Sequence, residues 1–296
     1  MYVASDNSTP MNEKVNFLKL LHSTEEKNVL IALQIAKNQP QFQEALIPYL
    51  TIQRQVYNKV LTIDTIEAQH IRQLNDPWLD WDNANLETLP PEMLHLPNPE
   101  ELFLDGNLFA DIPSLVLQSM QSLKRLGLGY NQLTSISPDI QSLQELQTLY
   151  LYNNQLTTLP KEIGNLTNLR RLLLDGNQLQ SLPDEIGNLE KLECLSVSEN
   201  ALKTLPASIG KLKNLKNLCL DSNQLTELPE EIGQMTSLEE LRIQANQLQH
   251  AHAIPKSVEQ LPNLTAIYYS ENPVDWLDIY LPNGRIVYGW NDNGCP

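Results

Sequence analysis

LTNLRRLLLDGNQLQSLPDEIGN, residues 166–188, runs straight into LEKLECLSVSENALKTLPASIGK, 189–211, and LKNLKNLCLDSNQLTELPEEIGQ, 212–234. The three stretches keep one pattern, LxxLxLxxNxLxxLPxxIGxLxx. Self-similarity at a fixed period of this size marks a repeat architecture. Aligning the asparagines gives Asn107, Asn131, Asn154, Asn177, Asn200, Asn223, Asn246 and Asn272; the step is 23 from Asn131 to Asn246, 24 before it and 26 after it. An earlier, degenerate copy puts Ala84 in the asparagine position, with Leu79, Trp81, Leu86, Leu89, Pro90 and Met93 in register. The count is about nine repeats, over 76–273.

Within a copy, alternation along Arg171-Leu172-Leu173-Leu174-Asp175 sends Leu172 and Leu174 to one face and Arg171, Leu173 and Asp175 to the other. That predicts one short strand per repeat. The asparagine follows where the chain must turn, and its amide can serve the backbone groups of that turn as a buried ladder. The LPxxIGxL half returns on the opposite side. Its proline ends the extended segment, and its glycine is expected to end a short helical turn. A single copy cannot bury enough apolar surface to fold alone, so neighbours must stack.

These motifs resemble the leucine-rich-repeat family, over about two thirds of the chain. The 23-residue LPxxIG form is similar to bacterial repeat proteins and to Ras-associated leucine-rich scaffolds. The resemblance implies an α/β solenoid: a curved parallel sheet of about nine strands, a helical N-terminal cap, a C-terminal cap, and protein binding as the activity. From the Ras-associated proteins comes one further implication, a regulator that binds a small GTPase.

Open ends of a parallel sheet need covering. Residues 11–75 read as helical, with a capping box at Ser23-Thr24-Glu25-Glu26 and Pro40 in the first turn of a second helix. Residues 1–10 are polar and read as a disordered tail. Over 274–296, WLDIYLPNGRIVYGW alternates around a Pro-Asn-Gly turn and reads as a terminal strand closing the last repeat; LPNxxI endings of this kind occur in bacterial members of the family.

Composition narrows the function. The chain has 296 residues and a formal charge of -16, which repels nucleic-acid phosphates and anionic membranes. No run reaches the apolar length of a membrane span, and the first residues lack the basic and apolar regions of a secretion signal. A cytoplasmic, monomeric protein is the reading of the chain as written; a leader removed upstream would make it a secreted or surface adhesin or effector. The cysteines, Cys194, Cys219 and Cys295, are odd in number and argue against a disulfide framework. Cys194 and Cys219 occupy different strand columns and are expected to lie beyond bonding reach.

No phosphate-binding GxxxxGK[ST] loop, HExxH, GxSxG or kinase signature occurs, so no catalytic residue and no cofactor are expected. His250-Ala251-His252 lacks a third ligand nearby and reads as loop histidines, not a metal site. In place of chemistry, the strand positions that the repeat leaves free should carry the function. The column between the two strand leucines reads Asp80, Phe103, Gly127, Tyr150, Leu173, Ser196, Cys219, Arg242, Tyr268. The column after the second leucine reads Asp82, Asp105, Gly129, Tyr152, Asp175, Ser198, Asp221, Gln244, Ser270, and the column before the first begins Trp78, Glu101, Arg125, Thr148, Arg171. Side by side, these place Phe103, Tyr150, Tyr152 and Leu173 in one concave patch, with Tyr130 at its edge. Gly127 and Gly129 should leave a notch for a partner's side chain, flanked by Arg125 and Arg171 and lined by Asp105 and Asp175. Exposed aromatics beside arginine are the composition of interface hot spots. The plainer alternative is that these tyrosines are tolerated β-formers on a solvated sheet.

Overall fold

The computed structural model describes residues 9–112 and 114–273. Among these residues, nine three-residue strands form one parallel sheet in strict chain order: β1 Trp78–Asp80, β2 Glu101–Phe103, β3 Arg125–Gly127, β4 Thr148–Tyr150, β5 Arg171–Leu173, β6 Cys194–Ser196, β7 Asn217–Cys219, β8 Glu240–Arg242 and β9 Ala266–Tyr268. The register follows the repeat, with Leu79, Leu102, Leu126, Leu149, Leu172, Leu195, Leu218, Leu241 and Ile267 in one row. That row and the second strand leucines are buried, and they stack on the isoleucines of the return segments to make one continuous core. The chain is a leucine-rich-repeat solenoid.

The asparagine ladder forms as expected. Asn177 donates from Nδ2 to the carbonyls of Leu151 and Leu174, both at 2.9 Å, and its Oδ1 accepts from the Leu156 N–H at 3.0 Å. The same three bonds recur at Asn131, Asn154, Asn223 and Asn246. Each asparagine thus ties its own repeat to the preceding one through otherwise unserved backbone groups. The residue before it takes a left-handed conformation in every repeat: Asn83, Gly106, Tyr130, Asn153, Gly176, Glu199, Ser222, Ala245 and Glu271.

The return segments are 3-10 turns such as Lys161–Asn165, Asp184–Asn188 and Ala207–Lys211. The longer step before Asn131 accommodates a short α-helix, Ser114–Ser119. The glycine of IG does not end its turn through a left-handed backbone, because Gly164, Gly187 and Gly210 have no positive φ. The reason is contact. A Cβ on Gly187 would lie 2.5 Å from the Ser208 carbonyl oxygen of the next repeat. Glycine is what allows successive turns to pack backbone to backbone.

At the N-terminus, helices α1 Thr9–Leu21, α2 Glu26–Asn38, α3 Ile47–Tyr57 and α4 Ala68–Asn75 bury Phe17, Leu21, Val29, Leu33, Tyr49, Ile52, Ile71 and Leu74 in the core that continues into the repeats. Tyr49 donates to Asn75 Oδ1 at 2.8 Å, and Trp81 Nε1 donates to the Tyr57 hydroxyl at 3.1 Å, so α3 is pinned to both α4 and the first repeat. Three local expectations need correction. α1 begins at Thr9, inside the segment read as a tail. The box at Ser23 is not made: Ser23 Oγ accepts from the Glu25 N–H, and α2 starts at Glu26 without a side-chain cap. A reciprocal cap occurs instead at α4, between Glu67 and His70. Pro40 opens a 3-10 turn, Pro40–Leu46, rather than an α-helix. The C-terminal cap expected over 274–296 lies outside the described residues.

Candidate functional site

Because the strands stay in register, residues one repeat apart become lateral neighbours on the outward face of the sheet. Phe103, Gly127, Tyr150 and Leu173 stand in one row across β2–β5, and Glu101, Arg125, Thr148 and Arg171 stand in the row beside it. Without a side chain on Gly127, Arg125 spans the space between Phe103 and Tyr150. Its guanidinium lies 5.3 Å from the Phe103 ring centroid, donates to the Tyr150 hydroxyl at 3.4 Å, and pairs with Glu101 at 3.3 Å. The Tyr150 ring meets Tyr152 edge-on at 6.3 Å, and Tyr152 meets Tyr130 edge-on at 5.3 Å. These are the offsets at which aromatic quadrupoles attract. The result is one linked series, Phe103–Arg125–Tyr150–Tyr152–Tyr130.

The glycine notch is not open. A Cβ on Gly129 would fall 2.4 Å from the Tyr152 ring, and one on Gly127 would meet Asp105 and Phe103. The notch is filled by the chain's own Tyr152, whose hydroxyl donates to Asp105 Oδ2 at 2.6 Å. Burial, reinforced by Asp105, holds that phenol well above its usual range. Gly129 is therefore the seat that lets Tyr152 lie flat, and no space remains there for a partner's side chain.

The acidic residues of the column have a structural task. Asp105 Oδ1 accepts from the Gly129 N–H at 2.7 Å, Asp175 from the Ser198 N–H at 2.9 Å and Asp221 from the Gln244 N–H at 2.7 Å. Asp82 does the same for the Asp105 N–H at 2.6 Å. Each carboxylate fixes the strand exit of the next repeat. Asp175 also accepts from the Ser196 hydroxyl, and burial raises its pKa. Asp175 thus belongs to the scaffold and does not line a notch. Arg171 also stands apart, in a depression of about 350 Å³ with Arg170, Glu193, Cys194 and Lys216. There Glu193 pairs with Arg170 and, at 3.6 Å, with Lys216. Leu173 is half-buried in the row next to Tyr150.

One residue escaped the reading of the columns as a site. Trp78 on β1 is 59% exposed and meets the Phe103 ring edge-on at 6.3 Å, extending the series to the first repeat. Its signal was present, an indole in the outward column of a copy whose degeneracy drew attention to its inward positions. Tyr130 is 61% exposed at φ +50°.

The other cysteine and histidine expectations divide. Cys194 and Cys219 are not bonded to each other, as their columns required; Cys194 is a buried thiol whose pKa burial pushes up. Cys219, however, is disulfide-bonded, which the odd cysteine count argued against. Among the described residues no group of three or more His, Cys, Asp or Glu side chains converges, and no helix is long and apolar enough to cross a membrane.

The fold and this sheet face define a solenoid whose outward columns carry side chains that the apolar core does not use. Family models place it: one described as a leucine-rich repeat region matches residues 161–271, and one described as a leucine rich repeat matches 97–156 and 122–179. The chain is a leucine-rich-repeat protein. No curated protein matches it. Among solved structures it is similar to a leucine-rich-repeat protein of Leptospira interrogans, at 36% identity and a TM-score of 0.57, over 66% of this chain and 54% of that one. It is also similar to the ectodomain of the plant membrane receptor kinase GASSHO1/SCHENGEN3 from Arabidopsis thaliana, solved with CASPARIAN STRIP INTEGRITY FACTOR 2. There the identity is 32% and the TM-score 0.51, over 62% of this chain and 26% of that one. A chain from an octameric complex of Latrophilin 3, Unc5D and FLRT2, the last as its leucine-rich repeats, matches at 29% identity and a TM-score of 0.54. That match spans 64% of this chain and 59% of the other. The present chain thus spans about half the length of the Leptospira protein.

Proposed function

We propose that this protein is a non-catalytic interaction scaffold that holds a protein partner on the outward face of its sheet, over β1–β5. The observation that carries the reading is the linked aromatic series from Trp78 to Tyr130, held by Arg125, on a face that core packing leaves unused. Tyrosine and tryptophan give large apolar contact area with few rotors to freeze, and arginine among them is the usual company of interface hot spots. Neighbours of the same fold, solved in complexes with protein partners, support the class of function. Partner contact in this reading comes from the projecting edges of Phe103, Tyr130, Tyr150 and Tyr152, with Leu173 as apolar rim, and not from a pocket.

The test is affinity capture with the wild-type protein and a Phe103→Ala, Tyr150→Ala, Tyr152→Ala variant, read by mass spectrometry, after circular dichroism has shown both folded. A partner held by the wild type and lost by the variant supports the reading; identical recovery of every captured protein removes it.

A second reading, a secreted or surface-displayed binder, is supported by the similarity to the ectodomain of a plant membrane receptor kinase, and in an oxidising compartment cysteines of this chain would pair. Thiol titration of denatured protein, taken from its own cells without reductant, should find fewer than the three thiols of the sequence. Recovery of all three would sink this second reading.

A further inference from the structure

Among the described residues, strand β1 ends the sheet and pairs only with β2. In a parallel ladder, successive residues send their backbone groups to opposite sides. Pro77, Trp81 and Asn83 face β2: the Glu101 N–H donates to the Pro77 carbonyl, the Trp81 N–H to Phe103, and the Asn83 N–H to Asp105. Trp78, Asp80 and Asp82 therefore turn their backbone groups to the outside. Two of the outer N–H groups are served from within the strand, Trp78 by Asp76 Oδ1 and Asp82 by Asp80 Oδ1, each at 3.1 Å. Among the described residues nothing donates to the carbonyls of Trp78, Asp80 or Asp82, and the Asp80 N–H has no acceptor. The carbonyls of Asp80 and Asp82 correspond to those of Phe103 and Asp105, which each accept an N–H from the strand before at 2.8 Å. The edge is thus half of a ladder that the molecule completes at every other repeat, and Trp78, Asp80 and Asp82 beside it are exposed.

We propose that this outer edge, Trp78–Asp82, takes an extended segment of a partner protein as a tenth parallel strand, and that the segment carries lysine or arginine. The carbonyls of Asp80 and Asp82 receive two of its N–H groups, and Trp78 covers an apolar side chain. Charge decides the occupant. Asp76, Asp80 and Asp82 line the edge, no lysine or arginine among the described residues pairs with them, and the whole chain has a formal charge of -16. A second copy would bring the same carboxylates against these, so like charges oppose self-pairing, while a basic strand is attracted. Main-chain bonds then supply affinity and the side chains supply choice, as in other strand additions. The site shares Trp78 with the aromatic series of the proposed function but not Tyr150 or Tyr152, so the Tyr150→Ala, Tyr152→Ala variant distinguishes the failure of one from the failure of the other.

The test uses full-length protein and a fluorescein-labelled decapeptide of alternating lysine and valine, read by anisotropy at physiological salt. Its comparators are the glutamate–valine peptide and a fully N-methylated lysine–valine peptide. The lysine peptide should bind about tenfold or more tightly than either comparator. Trp78→Ala should lose about tenfold, Asp80→Lys should remove the preference for lysine, and a Tyr150→Ala, Tyr152→Ala variant should bind as the wild type does. Any of four outcomes overturns the proposal: no binding, equal binding of the glutamate peptide, indifference to N-methylation, or indifference to both Trp78→Ala and Asp80→Lys. A dimer in sedimentation that Trp78→Ala abolishes would overturn it in favour of a second copy.

Discussion

Replacing Gly187 by alanine separates two accounts of the IG glycine. If it served only as a turn ender with an ordinary backbone, alanine would restrict the unfolded chain and stabilise the protein by about 0.4–1 kcal/mol. The structure requires the opposite sign. The new Cβ would sit 2.5 Å from the Ser208 carbonyl oxygen and 2.8 Å from the Ser208 Cβ. Both atoms belong to a neighbouring 3-10 turn that is itself stacked on the next repeat, so neither is the free end of a flexible side chain. Reaching ordinary contact means moving one turn by nearly 1 Å. Overpacking of this kind costs about 1–3 kcal/mol, and subtracting the unfolded-state gain leaves a net loss centred at about 1.3 kcal/mol. Urea unfolding followed by circular dichroism would show a lower midpoint at unchanged slope. Gly210, whose Cβ would meet the Glu231 carbonyl at 2.4 Å, should behave alike. An unchanged or raised midpoint in both variants would refute the packing account.

Tyr130→Gly should raise stability, because a bulky residue at φ +50° carries backbone strain of about 1 kcal/mol or more; the same variant should weaken partner capture, and a fall in midpoint would contradict the strain. For pH, burial raises the pKa of Asp175 above its unfolded value, so the folded state takes up a proton more readily than the unfolded chain. The wild type should therefore gain stability relative to Asp175→Asn as pH falls through the folded-state pKa, the gain being complete below the unfolded value. A gap that moves the other way between pH 7 and pH 4 would sink this assignment.

The repeat was legible because it is redundant. Eight asparagines in one register fix the strand, the turn and the ladder together, and the pairing Leu149↔Leu172 follows from counting 23 residues. What could not be read lay where two repeats touch. Nothing in IG distinguishes a glycine that bends its own chain from one that makes room for its neighbour. The aspartates of the outward column looked like binding residues, since a column position does not tell whether a carboxylate faces solvent or the next strand's N–H. The notch failed for a related reason: two glycines suggested a gap, but Tyr152 is long enough to lie across one of them. Ser23 lost its capping role because Asn75, 52 residues later, donates to the Ser23 carbonyl and settles how the chain leaves α1.

The repeats act as one another's controls, and that bears on where function sits. Eight of nine left-handed positions carry Gly, Asn, Ser, Glu or Ala, and the ninth carries Tyr130. The same repeat alone has glycine on either side of its second strand leucine, at Gly127 and Gly129, and the next alone has tyrosine there, at Tyr150 and Tyr152. The three departures touch one another, and one of them sits against backbone strain. The turn alone does not ask for tyrosine at 130, because asparagine makes the same turn at Asn153. Under the proposed function, Tyr130 serves a partner on the face where it meets Tyr152 and where Arg125 joins Tyr150 to Phe103.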